Sequence, residues 1–137
     1  MILFVDTSIF YAAVDSSDAS NRKAKSILAS EEALSTSNLV LAESWNLIHN
    51  KIGRAAAERF WGGARRSALE IEPVTSSDLD QAWQSGIDWP DQDFSLVDRT
   101  SFALMQRLGI TSVATLDSDF AIYRYGPRRK RIFTVVP

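Results

Sequence analysis

The chain has 137 residues, 45% of them hydrophobic, a formal net charge of −2 and no cysteine. Those figures suit one globular domain with a proper core, and they exclude disulfides and thiolate metal sites. No apolar run approaches the roughly 20 residues that span a bilayer, and no basic segment precedes the apolar N-terminus. Neither a membrane span nor a signal peptide is therefore expected, and the expected location is the cytoplasm.

The first stretch, Ile2 to Val5, is four apolar residues, two of them β-branched. Such a run reads as a short strand buried on both faces. It ends at Asp6, and Ile9 to Val14 continue better as a helix. In an open α/β sheet, ligands sit just beyond the carboxyl ends of the strands, which places Asp6 for chemistry. It is also placed to cap the helix that follows. Asp15 to Asn21 is a polar join. Arg22 to Ala29 reads as a second helix with Ala24, Ile27 and Leu28 inward, and Ala33 to Thr36 as a second strand. A helix follows over Leu39 to Asn50, capped by Ser37 or Asn38. Gly53 marks a break, and Ala55 to Phe60 is helical until Gly62-Gly63 interrupts it. Leu69 to Val74 alternates as a strand with Glu70 and Glu72 on its polar side.

Ser76 or Ser77 opens a helix covering Asp78 to Ser85, and Gly86 to Phe94 reads as an acid-rich loop. Ser95 to Leu108 is a helix closed by Gly109. Thr111 to Leu116 is a second central strand, and like the first it ends on a carboxylate, Asp117. Ser118 to Lys130 reads as a polar segment, and Ile132 to Val136 as the last strand. Strands alternating with helices predict a three-layer α/β fold, a mostly parallel central sheet flanked by helices. It is expected to be one domain over 1–137.

Four carboxylates stand out by their placement. Asp6 and Asp117 follow apolar strands. Glu43 has Leu39, Val40, Asn46 and Leu47 as its helical neighbours, within the apolar stripe. Asp98 lies in the first turn of its helix, beside Leu96 and Phe102. Each has a structural alternative: Asp98 at the positive end of its helix, Asp117 in a turn with Ser118 and Asp119, Glu43 at the stripe's edge beside an arginine. Together, all four can converge at one end of the sheet. Two carboxylates about 4 Å apart repel by roughly 4 kcal/mol at an effective dielectric of 20. Four cannot all stay ionised unless protons or a cation neutralise them. An all-oxygen pocket favours a hard ion, Mg²⁺ or Mn²⁺, which binds through one or two carboxylates plus substrate phosphates. Thr7, Ser8 and Thr115 stand where they can hydrogen-bond an acid or a phosphate. They can equally serve as strand formers and caps.

Four fragments recur in an order and spacing that resembles the PIN-domain family. They are Val5-Asp6-Thr7-Ser8, Leu41-Ala42-Glu43, Phe94-Ser95-Leu96-Val97-Asp98 with Ser101-Phe102-Ala103, and Thr115-Leu116-Asp117-Ser118-Asp119-Phe120. Within that family the chain is similar to the VapC-type toxin ribonucleases of toxin–antitoxin pairs, over essentially its whole length. The resemblance implies an acidic quartet at Asp6, Glu43, Asp98 and Asp117, with Thr115 opening the Thr-x-Asp ending. It implies an additional acid at Asp93, and Thr7 beside the first aspartate ranks with Thr115 as support. Asp119 is set aside, because it points away if its segment stays extended. The implied activity is a Mg²⁺- or Mn²⁺-dependent endoribonuclease. Asp6, Asp98 and Asp117 would hold metal directly or through water, and Glu43 would bind metal or orient the nucleophile. The implied assembly is a homodimer, and the implied partners are RNA and a small antitoxin whose arginine reaches toward the acids.

Arg128-Arg129-Lys130-Arg131 is the densest basic cluster and the candidate RNA contact, with Arg22, Lys23, Lys25 and Arg65-Arg66 as lesser ones. As an alternative it is a solvated loop. His49, the only histidine, reads as a surface residue near a helix C-terminus. Trp45, Trp61, Trp83 and Trp89 are divided between core and interface, and Trp89 is placed either to pack or to stack on a base. Two other classes compete. A phosphoacceptor signalling domain wants paired acids after its first strand, an Asp ending a mid-chain strand and a late Lys, none of which is present. A haloacid-type phosphatase wants a second Asp where Ser8 stands. A non-catalytic RNA- or partner-binding module on the same fold remains a third reading.

Overall fold

The computed structural model describes residues 1–136. Strand β1 (Ile2–Val5) buries Leu3, Phe4 and Val5, as its unbroken apolar run requires of a central parallel strand. It lies in the middle of a five-stranded, all-parallel sheet with β2 (Ala33–Ser37), β3 (Glu70–Glu72), β4 (Ser112–Ala114) and β5 (Thr134–Val136), in the order β3-β2-β1-β4-β5. Helices make every connection. α1 (Thr7–Val14) and α2 (Asn21–Leu28) join β1 to β2, and α3 (Asn38–Lys51) and α4 (Arg54–Arg66) join β2 to β3. α5 (Ser76–Asp88) and α6 (Leu96–Leu108) lead to β4, and α7 (Asp119–Ile122) follows it. The strand order reverses at β1, between β2 on one side and β4 on the other. That crevice is where open α/β sheets bind ligands. In register, Val5 faces Ala114 of β4 and Phe4 faces Ser35 of β2.

Several element boundaries differ from expectation. Gly62-Gly63 does not break α4, which runs through to Arg66. Each helical glycine costs about 1 kcal/mol against alanine, but α4 buries Ala56 and Ala57 and packs Phe60 and Ala64 on the core, which outweighs that cost. α5 opens at Ser76, as expected, with Thr75 as its cap, because Thr75 and Asp78 form a reciprocal capping box. It also continues through Gly86 to Asp88. A side chain at Gly86 would collide with Arg99, whose Nη1 crosses from α6 to donate to the Ala82 carbonyl at 3.1 Å. Gly109 does close α6, with a left-handed φ of 69°.

The segment Ser118 to Lys130 is not simply polar. α7 buries Phe120, and Tyr123 stacks on Phe102 of α6 with centroids 4.1 Å apart. Beyond it, a turn closed by an antiparallel Tyr125–Arg131 bridge carries the basic cluster. The burial of Phe120, Tyr123 and Phe133 ties this segment to the core that supports α6. Among the described residues, no helix is long and apolar enough to cross a membrane.

Candidate active site

Asp6 is the first residue beyond β1. Its backbone N–H still donates to the Ala114 carbonyl at 3.0 Å, so the ladder with β4 carries it into the crevice. Its backbone begins α1, yet its side chain makes no capping bond. Oδ2 instead accepts from Thr115 Oγ1 at 2.9 Å and from Ser8 Oγ at 3.1 Å. The residue is 1% exposed. Burial pushes its carboxyl up to about 6, against the hydrogen bond from Thr115, and the Asp117 charge adds to the rise.

β4 ends at Ala114, short of the expected Leu116. The cause lies in two hydroxyls. Ser8 Oγ accepts the Leu116 N–H at 2.9 Å, and Thr115 Oγ1 accepts the Asp117 N–H at 3.1 Å. Side chains thus take the backbone donors and turn the chain. Asp117 stands exposed at this turn, with its carboxyl raised by desolvation and by Asp119.

Asp98 arrives from the other direction. Ser95 Oγ accepts the Asp98 N–H at 3.0 Å, and Asp98 Oδ2 accepts the Ser95 N–H at 3.4 Å, a capping box that orients the carboxylate. Asp98 therefore caps α6 and also lies among the other acids. It is 7% exposed, and its carboxyl rises to about 7 through burial, the Asp6 charge and a hydrogen bond with Asp119.

Glu43 is half-buried at the edge of the α3 stripe, whose buried residues are Val40, Leu41, Ser44 and Ile48. No arginine pairs with it among the described residues. Thr7 Oγ1 donates to its Oε1 at 2.6 Å, which links it to the residue after Asp6. Asp93 is exposed and enters no hydrogen bond or ion pair among the described residues. Asp119 was expected to point away. It begins α7 instead, and the turn returns its carboxyl to Asp98. The signal was legible: Ser118-Asp119 ahead of Phe120 and Ile122 has the form of a helix start.

Among the described residues no cationic side chain pairs with these acids. The ion pairs among the described residues are Arg54–Glu58, Arg107–Asp78 and Arg129–Asp88. Nor do any three His, Cys, Asp or Glu side chains among the described residues already form a cage for an ion. Asp6, Asp98, Asp117 and Asp119 lie within reach of one another's charge, and the Asp6 and Asp98 carboxyls are raised to about 6 and about 7. The donor set is oxygen only. His49 lies elsewhere, exposed and stacked on Trp45. Such a set fits a hard divalent ion that keeps waters and takes substrate phosphate as further ligands.

The basic turn is exposed, but its members differ. Arg129 lies 5.0 Å above the Trp89 ring and 4.0 Å from Asp88. Trp89 packs edge-on against Phe94, just before the cap of α6, so it serves packing more than open stacking. Arg128, Lys130 and Arg131 enter no ion pair among the described residues.

Comparison with known proteins gives the family. The PIN domain family profile matches residues 3–124. VapC20 of Mycobacterium tuberculosis, named a 23S rRNA-specific endonuclease, is 35% identical over 121 residues, 88% of this chain and 92% of VapC20. The crystal structure of VapC20, described as a Sarcin-Ricin loop cleaving toxin, superposes with a TM-score of 0.83 at 34% identity over 89% of this chain and 94% of that one. The fold also matches a toxin–antitoxin complex from Klebsiella pneumoniae (TM-score 0.67, 17% identity, 98% of this chain and 96% of that one). VapBC2 of Rickettsia felis, bound to a DNA fragment from its promoter, matches equally well (TM-score 0.67, 16% identity, 99% and 98%). A profile that spans nearly the whole chain, and a relative matched over nearly all of its own length, make this chain a member of the PIN-domain family, of the VapC type.

Proposed function

We propose that this protein is a metal-dependent endoribonuclease, the toxin of a type II toxin–antitoxin pair, which hydrolyses RNA phosphodiesters at the Asp6–Glu43–Asp98–Asp117 crevice. The observation that carries the reading is the pair Asp6 and Asp98. Both are buried, both are raised toward neutral pH, and neither has a cationic partner among the described residues. A fold does not keep such a pair for stability; it keeps it for a ligand of opposite charge. VapC20 lends support through its name, and ribosomal RNA is accordingly the first substrate to try.

In this mechanism Asp6, Asp98 and Asp117 would hold Mg²⁺ or Mn²⁺, with Asp119 beside them. When bound, the ion supplies positive charge opposite the phosphate and a water acidic enough to attack at neutral pH. The chain's own residues do the rest. Thr115 and Ser8 fix Oδ2 of Asp6 and leave its other oxygen for the ligand. The α6 cap fixes Asp98. Thr7 orients Glu43, which accepts the proton of the attacking water. A bound cation would favour the ionised forms of Asp6 and Asp98. Arg128, Lys130 and Arg131 draw the RNA backbone in, while Arg129 mainly braces Trp89. The protein works in the cytoplasm as a homodimer, and a small antitoxin covers the acids. The exposed apolar row Leu79, Trp83 and Ile87, at i, i+4 and i+8 of α5, supplies surface for such an assembly.

The test is incubation of purified, antitoxin-free protein with ribosomal and mixed RNA in Mg²⁺ or Mn²⁺, with EDTA and with Asp6→Asn as controls. Cleavage that disappears in both controls is expected. Cleavage that survives both would remove the crevice as the site. A folded protein that binds RNA and cuts none of it would favour a binding module.

A further inference from the structure

Outside the acidic crevice, a cleft of about 460 Å³ opens between α3, α4 and β3. Trp45, Trp61 and Ile71 supply its apolar wall, and Asn38, Asn46 and Glu58 its polar groups. The aromatic walls are braced. His49 stacks on Trp45 with centroids 5.0 Å apart and planes 13° apart, and the Arg65 guanidinium lies 5.6 Å above the Trp61 ring. Trp61 is nonetheless 37% exposed, a large aromatic surface left facing water. Glu58, the cleft's one acid, pairs with Arg54 at 3.7 Å. Asn38 Oδ1 accepts the Val74 N–H at 3.1 Å, which leaves its amide N–H groups as donors.

We propose that this cleft, walled by Trp45 and Trp61, is a subsite that receives one unstacked nucleobase of the RNA substrate. The proposal rests on the ribonuclease reading above. Three observations favour a nucleotide over a protein side chain. The first is charge. Arg65 lies over Trp61, and Glu58, the cleft's one acid, is already paired with Arg54, so the cleft's edge carries an excess of positive charge on a chain whose net charge is −2. That complements a phosphate at the mouth. The second is chemistry. A base takes an aromatic face and an amide that donates and accepts, which is how single-stranded and looped RNA is read. The third is continuity with the crevice. Asn46 lies three residues beyond Glu43 on α3, about one helical turn or 5 Å along the axis. A strand that crosses the acids therefore passes the cleft's edge.

The experiment uses full-length protein and a labelled single-stranded RNA carrying 4-thiouridine at successive positions. Binding is read in the Asp6→Asn background, where no cleavage consumes the probe, and turnover is read without that substitution. Trp61→Ala should weaken binding about 10-fold, within the range for removing one stacked base. It should raise KM by a similar factor with kcat little changed, and Trp61→Phe should restore most of the loss. Cross-links should map to Trp45 or Trp61. If RNA binds and is cut normally while Trp61→Ala changes nothing and no cross-link maps to the cleft, the subsite is wrong and the nuclease stands. If Trp61→Ala instead shifts the oligomeric state, the cleft is a contact between copies and the proposal falls. If the protein neither binds nor cuts any RNA, the ribonuclease reading falls with it. Should Trp61→Ala fold poorly by circular dichroism, Asn46→Asp decides the matter, because the added charge at the rim should weaken binding and leave the wall intact.

Discussion

Asp78 and Asp98 occupy the same position in the same local motif. Each is the third residue of a helix, each closes a capping box, and each is nearly buried, at 2% and 7% exposure. Their electrostatics are opposite. Burial opposes the charge on Asp78, but Arg107 donates to both its oxygens at 2.9 Å and, with the Thr75 backbone, holds the carboxyl below its usual range. Asp98 is buried too, but its neighbours are Asp6 and Asp119, and its carboxyl rises to about 7. One motif yields a structural clamp where a guanidinium lies across from it, and a charge held in reserve where other acids do. Local sequence makes both caps. The partner across the fold decides what each is for.

The sharpest way to break this contrast is catalytic. Asp98→Asn should cut ribonuclease turnover by about 100-fold or more, the scale of losing one preorganised charge interaction. Asp78→Asn should leave the turnover of folded protein unchanged. Single-turnover cleavage of labelled RNA reads both, and equal losses would erase the distinction.

Stability should separate the two in the reverse sense. Asp78→Asn is expected to cost about 1–3 kcal/mol, since it strips Arg107 of its charged partner. Asp98→Asn should stabilise the metal-free protein at pH 7 by on the order of 1–3 kcal/mol. The pH dependence carries the sign. The folded pKa of Asp78 is lowered, so its contribution is present above the unfolded value of 3.8 and is lost as pH falls below it. The folded values of Asp6 and Asp98 are raised, so metal-free stability falls as pH climbs from 3.8 through about 6 and 7. Urea midpoints from pH 3 to 8 should show both slopes. Asp78→Asn should flatten the lower one and Asp98→Asn the upper, and Mg²⁺ should cancel the upper slope in the wild type.

A smaller effect tests the hydroxyls. Thr115→Val removes the donor to Asp6, and an outer partner of this kind is worth about 10-fold in metal affinity. Mn²⁺ titration followed by calorimetry would show it, and an unchanged affinity would leave Thr115 only its part in the turn to Asp117. The smallest effect lies in the basic turn. Replacing Arg128 and Lys130 together should lower the salt slope of RNA binding by about 2, one for each cation. Arg129→Ala should change it less, because that guanidinium already faces Trp89 and Asp88.

The order of strands and helices could be read from the residues, and so could Asp6 at the end of β1 and Asp117 in the turn after β4. Periodicity and apolar runs report burial directly, and the crevice follows from the ends of central strands. The errors came where a local signal met a packing partner. Gly62-Gly63 read as a break because propensity carries no knowledge of the α3 face that α4 covers. The stretch after Asp117 read as polar because Phe120 and Tyr123 stand among charged neighbours, although they reach Phe102 and Phe133 in the core. Asp119 was set aside on the assumption of an extended chain, and the hydroxyls of Ser8 and Thr115 are what turn it.

The sequence by itself determined the fold class, the parallel sheet and the identity of Asp6, Glu43, Asp98 and Asp117 as the residues to watch, because those depend on residue type, spacing and strand ends. Only the tertiary structure decided how they are used. It placed Thr7 on Glu43 and Thr115 on Asp6, it put Arg107 on Asp78 while leaving Asp98 among acids, and it opened a tryptophan-walled cleft one turn from Glu43. Burial and Coulomb energy depend on distance in space, and distance in space is what a linear order of residues does not contain.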